Sequence, residues 1–151
     1  WLKGVLSKMD DVDSIVELFC GSGNFTHVLA ETSAAHIVAL EGDDASIAAL
    51  TARGLRGVTG VRANLFSESD IRTLVPNVNG RLGVVMDPPR EGLKERAALT
   101  TLFSSARWVV YIACDLATWE RDSGFLSDCG LSLQEARGLD MFPQTPHMEI
   151  L

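Results

Sequence analysis

The chain lacks a cysteine framework, a basic face and a long apolar run. Its three cysteines, Cys20, Cys114 and Cys129, are odd in number and too far apart for metal-ligand spacing. That excludes a disulfide scaffold and a cysteine metal site, and it fits a reducing, cytoplasmic setting. Thirteen Lys and Arg stand against twenty Asp and Glu, a net charge of −7, with no Lys/Arg cluster. Phosphate binding normally leaves a basic footprint, so either the substrate is not a polynucleotide or another module grips it. Neither terminus carries a targeting or membrane segment, and no repeat, linker or low-complexity tract interrupts the chain. The absence of G-x-x-x-x-G-K-[ST] argues against an NTPase.

What is present is one domain's worth of sequence, 151 residues with 46% hydrophobic content, enough to bury a core. The chain starts at Trp1 rather than Met and stops at Leu151 inside what reads as a strand. The expectation is a single domain, 1–151, that is a fragment of a longer protein. Strand-like runs are expected at Ser14 to Phe19, His36 to Leu40, Val58 to Ala63, Leu82 to Met86 and Trp108 to Ile112. A sixth is expected at Leu131 to Arg137 and a truncated seventh from Met148. Helical spacing separates them at Asn24 to Glu31, Asp44 to Arg53, Glu68 to Leu74, Leu93 to Ala106 and Leu116 to Cys129, with a short amphipathic helix from Trp1 to Met9. Alternation of this kind predicts an α/β fold, a mostly parallel seven-stranded sheet with helices on both faces.

Polar groups end four consecutive strands on one edge of that sheet. Gly21-Ser-Gly23-Asn24 follows the first strand and opens a helix, where glycine lets the backbone turn sharply and approach a ligand. Thr26 stands where G-x-G-x-x-G would place its third glycine, which argues against a dinucleotide. Glu41 lies about 20 residues on, where an acidic side chain can accept ribose hydroxyls; the bland alternative is a solvated turn carboxylate. Asn64 ends the third strand and Asp87 the fourth.

The reacting groups come later in the chain. In Asp87-Pro-Pro-Arg90, two prolines hold the backbone rigid beside the sheet edge. An aromatic residue after Asp-Pro-Pro is the signature of amino-group methylation, and Arg90 replaces it here, which argues against that chemistry. Cys114 ends the fifth strand close to a helix start, a position suited to a nucleophile. Asp115 is placed to cap that helix. Cys20 and Cys129 read as buried structural thiols. Glu149 and His147, delivered by a loop containing Pro143 and Pro146, are both suited to general-base work, and residue chemistry alone does not choose between them.

Five stretches together resemble the RNA uracil-5 methyltransferases: Glu17-Leu-Phe-Cys-Gly-Ser-Gly-Asn-Phe-Thr26, Asp87-Pro-Pro-Arg-Glu-Gly-Leu93, Tyr111-Ile-Ala-Cys-Asp115, Thr118-Trp-Glu-Arg-Asp122 and Met141-Phe-Pro-Gln-Thr-Pro-His-Met-Glu149. The resemblance is to the family's C-terminal catalytic domain, with its RNA-binding domains expected upstream. It implies a Rossmann-like class I fold and S-adenosylmethionine as cofactor. Phe19, Gly21, Gly23, Asn24, Glu41, Asn64 and Asp87 would line the cofactor pocket, with Asp87 and Arg90 on the substrate side. Cys114 would be the nucleophile and Glu149 the general base. It further implies tRNA or 23S rRNA as partner, reached through the missing domains, with any iron–sulfur cysteines upstream of Trp1; the residues themselves demand no metal in this fragment, no membrane and nothing beyond a monomer. One departure is visible: the family's Ser-Cys-Asn-Pro reads Ala113-Cys-Asp-Leu116 here. Two other outcomes stay open on the residues, a methyltransferase acting on an exocyclic amine and a non-catalytic cofactor-binding or RNA-assembly module.

Overall fold

In the computed structural model of the chain, residues 2–9, 11–74, 80–140 and 149–150 are described. The elements run α1 Leu2–Leu6, β1 Ser14–Leu18, α2 Asn24–Thr32, β2 His36–Glu41, α3 Asp44–Ala52, β3 Val58–Arg62, α4 Glu68–Leu74, β4 Leu82–Met86, α5 Arg96–Ser105, β5 Ala106–Tyr111, α6 Leu116–Asp128, β6 Gly138–Leu139 and β7 Glu149–Ile150. Strands β1 to β5 form one parallel sheet in the order β3-β2-β1-β4-β5. Among the described residues no helix is long and apolar enough to cross a membrane.

Successive strand residues face opposite sides, so each strand feeds two cores. Val16, Leu18, Leu40, Val84, Met86 and Tyr111 pack with α4, α5 and α6 residues such as Ile71, Leu99 and Phe103. Ile15, Ile37, Ala39, Val85, Trp108 and Val110 pack on the other face with Leu2, Leu29 and Leu50 from α1, α2 and α3. A sheet covered on both faces explains why its strands read as near-continuous apolar runs.

Gly83 shows how tightly the second core is filled. It pairs across the sheet with Trp108, and a Cβ at Gly83 would lie 2.3 Å from the indole Cζ2. Gly83→Ala is expected to lower the urea midpoint by the equivalent of about 1–3 kcal/mol, with the slope of the transition unchanged.

The seven-stranded sheet does not form as expected. Five strands make the parallel sheet, while β6 and β7 pair antiparallel as a separate ribbon, Gly138 with Ile150 and Leu139 with Glu149. Residues 131–137 are irregular rather than a sixth strand. Of their Leu-Ser-Leu alternation only Leu131 packs against the core, while Leu133 stays 68% exposed; β propensity without packing does not make a strand. Helix α5 also begins at Arg96, three residues later than its pattern suggests; residues 93–95 continue the loop from the left-handed Gly92, whose following amide, Leu93 N, donates to Asp122.

Candidate functional site

The strand order reverses direction between β1 and β4. In open α/β sheets the crevice beyond the carboxyl ends of such a pair is where ligands bind. Leu18 and Met86 are register partners, so the chains leaving β1 and β4 enter the crevice side by side. The ladder continues past them, with Asp87 N donating to the Leu18 carbonyl at 3.4 Å and Ile112 N donating to the Met86 carbonyl at 2.9 Å.

Phe19, directly after β1, has φ 60, a left-handed conformation rare for a bulky residue and a mark of a constrained site. Its ring lies 5.7 Å from that of Phe66, just past β3, and Lys94 Nζ sits 4.6 Å above the Phe66 ring. The glycine turn follows. A Cβ at Gly21 would project into open space, whereas one at Gly23 would lie 2.4 Å from Leu50 Cδ1 on α3. Gly23 at φ 91 is also the N-cap of α2 and leaves the helix start without a side-chain cap. Asn24 is exposed at the first position of that helix. The turn thus packs against α3 on one side and stays open to the crevice on the other.

Glu41 ties this turn to β2. Its Oε2 accepts from Gly21 N at 3.0 Å, and Oε1 accepts from Gly42 N at 2.7 Å and Asp43 N at 3.0 Å. A carboxylate offers about four acceptor positions, which leaves one on Oε2. Asn64 is exposed beyond β3, and its Oδ1 accepts from Phe66 N at 3.0 Å.

Glu17 is the residue that motif reading passed over. It lies inside β1, 1% exposed, and neither carboxylate oxygen has a hydrogen-bond partner. Burial lifts its pKa to about 7, with the charge of Asp87 pushing the same way. The Thr26 hydroxyl, also buried and unpartnered, and the Thr26 backbone are near enough to favour the charged form and oppose that shift. A carboxyl group inside an otherwise apolar strand, Ser14-Ile-Val-Glu-Leu18, was the available signal. Native proteins rarely leave such groups orphaned, so each instance calls for a ligand or a function.

On the reacting side, Asp87 is exposed to the crevice, yet burial of its carboxyl beside the walls and the charge of Glu149 raise its pKa to about 6. Arg90 is exposed one turn on, and its carbonyl accepts from Thr118 Oγ1 at 2.8 Å. Cys114 is half-buried three residues beyond β5. Ala113 and Ile150 form an antiparallel bridge, exchanging hydrogen bonds of 2.8 and 2.7 Å. One residue beyond that bridge on each chain, Cys114 and Glu149 are brought next to each other. The residues 141–148, and with them His147, Pro143 and Pro146, lie outside the described residues.

Asp115 caps α6, accepting from Thr118 N at 2.8 Å, and hydrogen bonding to the Thr118 backbone and side chain holds its carboxyl below the usual range. Aspartate does here what asparagine does equally well. Leu116 occupies the first helical position, where proline is favoured but not required, and stays 65% exposed. The two other thiols are poor nucleophiles: burial and the charges of Glu17 and Glu41 push Cys20 up to about 12, and burial raises Cys129.

No family model matches the chain. It is 39% identical over 99% of its length to an uncharacterized RNA methyltransferase of Nitrosomonas europaea. It is 38% identical over 91% of its length to the 23S rRNA (uracil(1939)-C(5))-methyltransferase RlmD of Hahella chejuensis. The chain spans 38% and 32% of the lengths of these relatives, about a third. Among solved structures it is similar to a SAM-dependent methyltransferase from Aquifex aeolicus, with TM-score 0.69, 10% identity, and coverage of 98% of this chain and 86% of that one. It also resembles a precorrin-6y C5,15-methyltransferase from Geobacter metallireducens, with TM-score 0.67, 17% identity, and coverage of 99% and 85%. At such identities the structural likeness establishes a Rossmann-like fold.

Proposed function

The chain belongs to the RNA (uracil-5-)-methyltransferases, of whose members it spans about a third, and from that premise we propose that its crevice transfers a methyl group from S-adenosylmethionine to C5 of a uracil in RNA. The observation that carries this reading is the Ala113–Ile150 bridge beyond β5, next to which Cys114 and Glu149 are the adjoining residues of the two chains. An amine methyltransferase needs neither group.

The residues fit such a cofactor. The unpartnered Glu17 oxygens suit a cationic ammonium group in a buried place. Glu41 keeps an acceptor position on Oε2 for a ribose hydroxyl, Gly21 leaves its side of the turn open, and Phe19, Asn24 and Asn64 border the same edge. When bound, the cofactor supplies an electrophilic methyl group.

The chain's own residues prepare the base. Uracil C5 is a weak nucleophile. Addition of the Cys114 thiolate across C6 converts the ring to an enolate and activates C5. Once C5 has taken the methyl group, Glu149 removes the C5 proton, the C5–C6 double bond re-forms, and the thiolate leaves. Asp87, exposed at the crevice, and Arg90, three residues on, orient the base. The target uridine must leave its stack to enter, at a cost of about a few kcal/mol. With a net charge of −7, the chain has little attraction for phosphate by itself. The RNA, rRNA in the first instance, is therefore held by parts of the protein beyond these residues, in the cytoplasm.

The test is nucleoside analysis of RNA methylated by the full-length protein. The expected product is 5-methyluridine, and a methyl group on an exocyclic nitrogen would overturn the reading. The cofactor edge is checked separately by calorimetry with S-adenosylhomocysteine. Glu41→Ala is expected to weaken binding at least about tenfold, since it removes both a ligand acceptor and the tie holding Gly21.

A further inference from the structure

One buried carboxylate joins the two halves of the reacting edge, and the mechanism above makes no use of it. Asp122, on the second turn of α6, is 0% exposed. Its Oδ2 accepts from Leu93 N at 2.9 Å and from the Tyr111 hydroxyl at 3.0 Å. Its Oδ1 accepts from Arg96 Nη2 at 2.7 Å and from Arg121 Nε at 3.1 Å. Leu93 belongs to the loop that starts at Asp87, Tyr111 ends the strand that delivers Cys114, and Arg121 lies on the helix that follows Cys114.

Neighbours on α6 tighten the same joint. Thr118 Oγ1 donates to the Arg90 carbonyl at 2.8 Å, and Arg121 Nη2 donates to the Glu91 carbonyl at 2.7 Å. Thr118, Arg121 and Asp122 lie three and four residues apart, hence on one helix face. Gly92 lets the loop press against that face: at φ +68, a Cβ there would lie 2.2 Å from Asp122 Oδ2 and 2.4 Å from Thr118 Cγ2.

We propose that Asp122 is a positioning residue for methyl transfer: it locks the loop carrying Asp87 and Arg90 to the strand and helix that flank Cys114. This rests on the reading of the site given above. The network contributes geometry more than stability. Desolvating the carboxylate consumes much of what its attraction to the partly exposed Arg96 and Arg121 returns, so such clusters often add little net stability. What they impose is one arrangement, since any slip of the loop leaves a buried charge short of a donor. A nucleophile and an orienting loop held apart by separate elements need that constraint, because a displacement of about 1 Å costs roughly 100-fold in rate.

The test uses the full-length protein with two variants. Tyr111→Phe removes one donor and leaves no buried charge unpaired. Asp122→Asn keeps the shape and removes the charge. The readouts are the thermal transition, affinity for S-adenosylhomocysteine, KM for RNA, kcat, and the rate of covalent adduct formation with 5-fluorouracil-containing RNA. Both variants are expected to keep cofactor affinity and KM within about twofold, while kcat and the adduct rate fall together, about tenfold for Tyr111→Phe and about 100-fold for Asp122→Asn. A wild-type adduct rate per folded molecule in both variants overturns the assignment, as does a loss of cofactor affinity in step with kcat, which marks a purely structural residue. If the unaltered protein forms no adduct and Cys114→Ala retains turnover, the reading of the whole site fails and this inference with it. An adduct that forms equally fast with and without Asp122 removes only the role of Asp122.

Discussion

Cys114→Ala in the full-length protein is expected to abolish the covalent complex with 5-fluorouracil-containing RNA and to lower turnover by more than about a thousandfold. Fluorine at C5 cannot be removed as a proton, so an adduct through C6 is trapped and survives denaturation. Cys114 sits three residues beyond β5, while the residues suited to the cofactor line the ends of β1, β2 and β3. Affinity for S-adenosylhomocysteine is therefore expected to stay within about twofold. Glu149→Gln should behave oppositely at one step: the thiolate still adds, but the C5 proton stays. With ordinary RNA that variant is expected to accumulate the adduct and lose about 10²- to 10⁴-fold in turnover. Adduct formation by Cys114→Ala would remove the nucleophile assignment. Prompt release by Glu149→Gln would move the base to another group.

The second large effect concerns Glu17, and its sign is unusual. Its carboxyl, ordinarily ionising at 4.5, is held protonated up to about 7 by burial. Below pH 4.5 the folded and unfolded chains both carry the proton, and no penalty arises. Between 4.5 and about 7 the unfolded chain ionises while the folded one does not, so stability falls as pH rises; above about 7 the full penalty is present. That interval corresponds to about 3 kcal/mol. Asp87, raised to about 6, acts in the same direction from a solvent-exposed position. Glu17→Gln, which cannot ionise, is expected to flatten the decline between pH 4.5 and 7. At pH 8 it should make the ligand-free protein more stable by about 1–3 kcal/mol, the range leaving room for the still-unpartnered amide. The same substitution is expected to weaken S-adenosylhomocysteine binding by about tenfold or more. Urea titrations at pH 5 and pH 8 with calorimetry at pH 8 read both quantities. A variant that is less stable at pH 8 and binds unchanged would make Glu17 a structural carboxyl. Gain of stability with loss of binding is the pattern of a strained functional residue.

The five-stranded sheet was legible because a strand covered on both faces must be apolar along its length. Val84, Val85 and Met86, all 0% exposed, announce their strand without any periodicity. Helix starts were legible where a cap was present: Asp43 accepts from Ser46 N and Asp115 from Thr118 N, both local bonds between neighbours in sequence. The reading failed where the deciding partner was distant. Leu93 looks helical by spacing, but it belongs to the loop that docks on Asp122, 29 residues on. Leu131 and Leu133 look like strand residues, but Leu131 packs against the core without a strand partner and Leu133 stays exposed. Glu17 lay inside a recognised motif without being singled out, since nothing in a strand pattern says whether a buried carboxyl has a partner.

The sequence by itself therefore determined the α/β alternation, the five parallel strands, the polar residues that end them, and the nearness of Cys114 to a helix start. Those properties depend on burial and on bonds within a few residues. The tertiary structure alone decided that β6 and β7 leave the sheet as a ribbon, that the Ala113–Ile150 bridge carries Glu149 to Cys114, that Glu17 lacks a partner, and that Asp122 joins the two reacting loops. Each of these depends on which distant segments meet, and a linear pattern of residues records faces and turns but not partners.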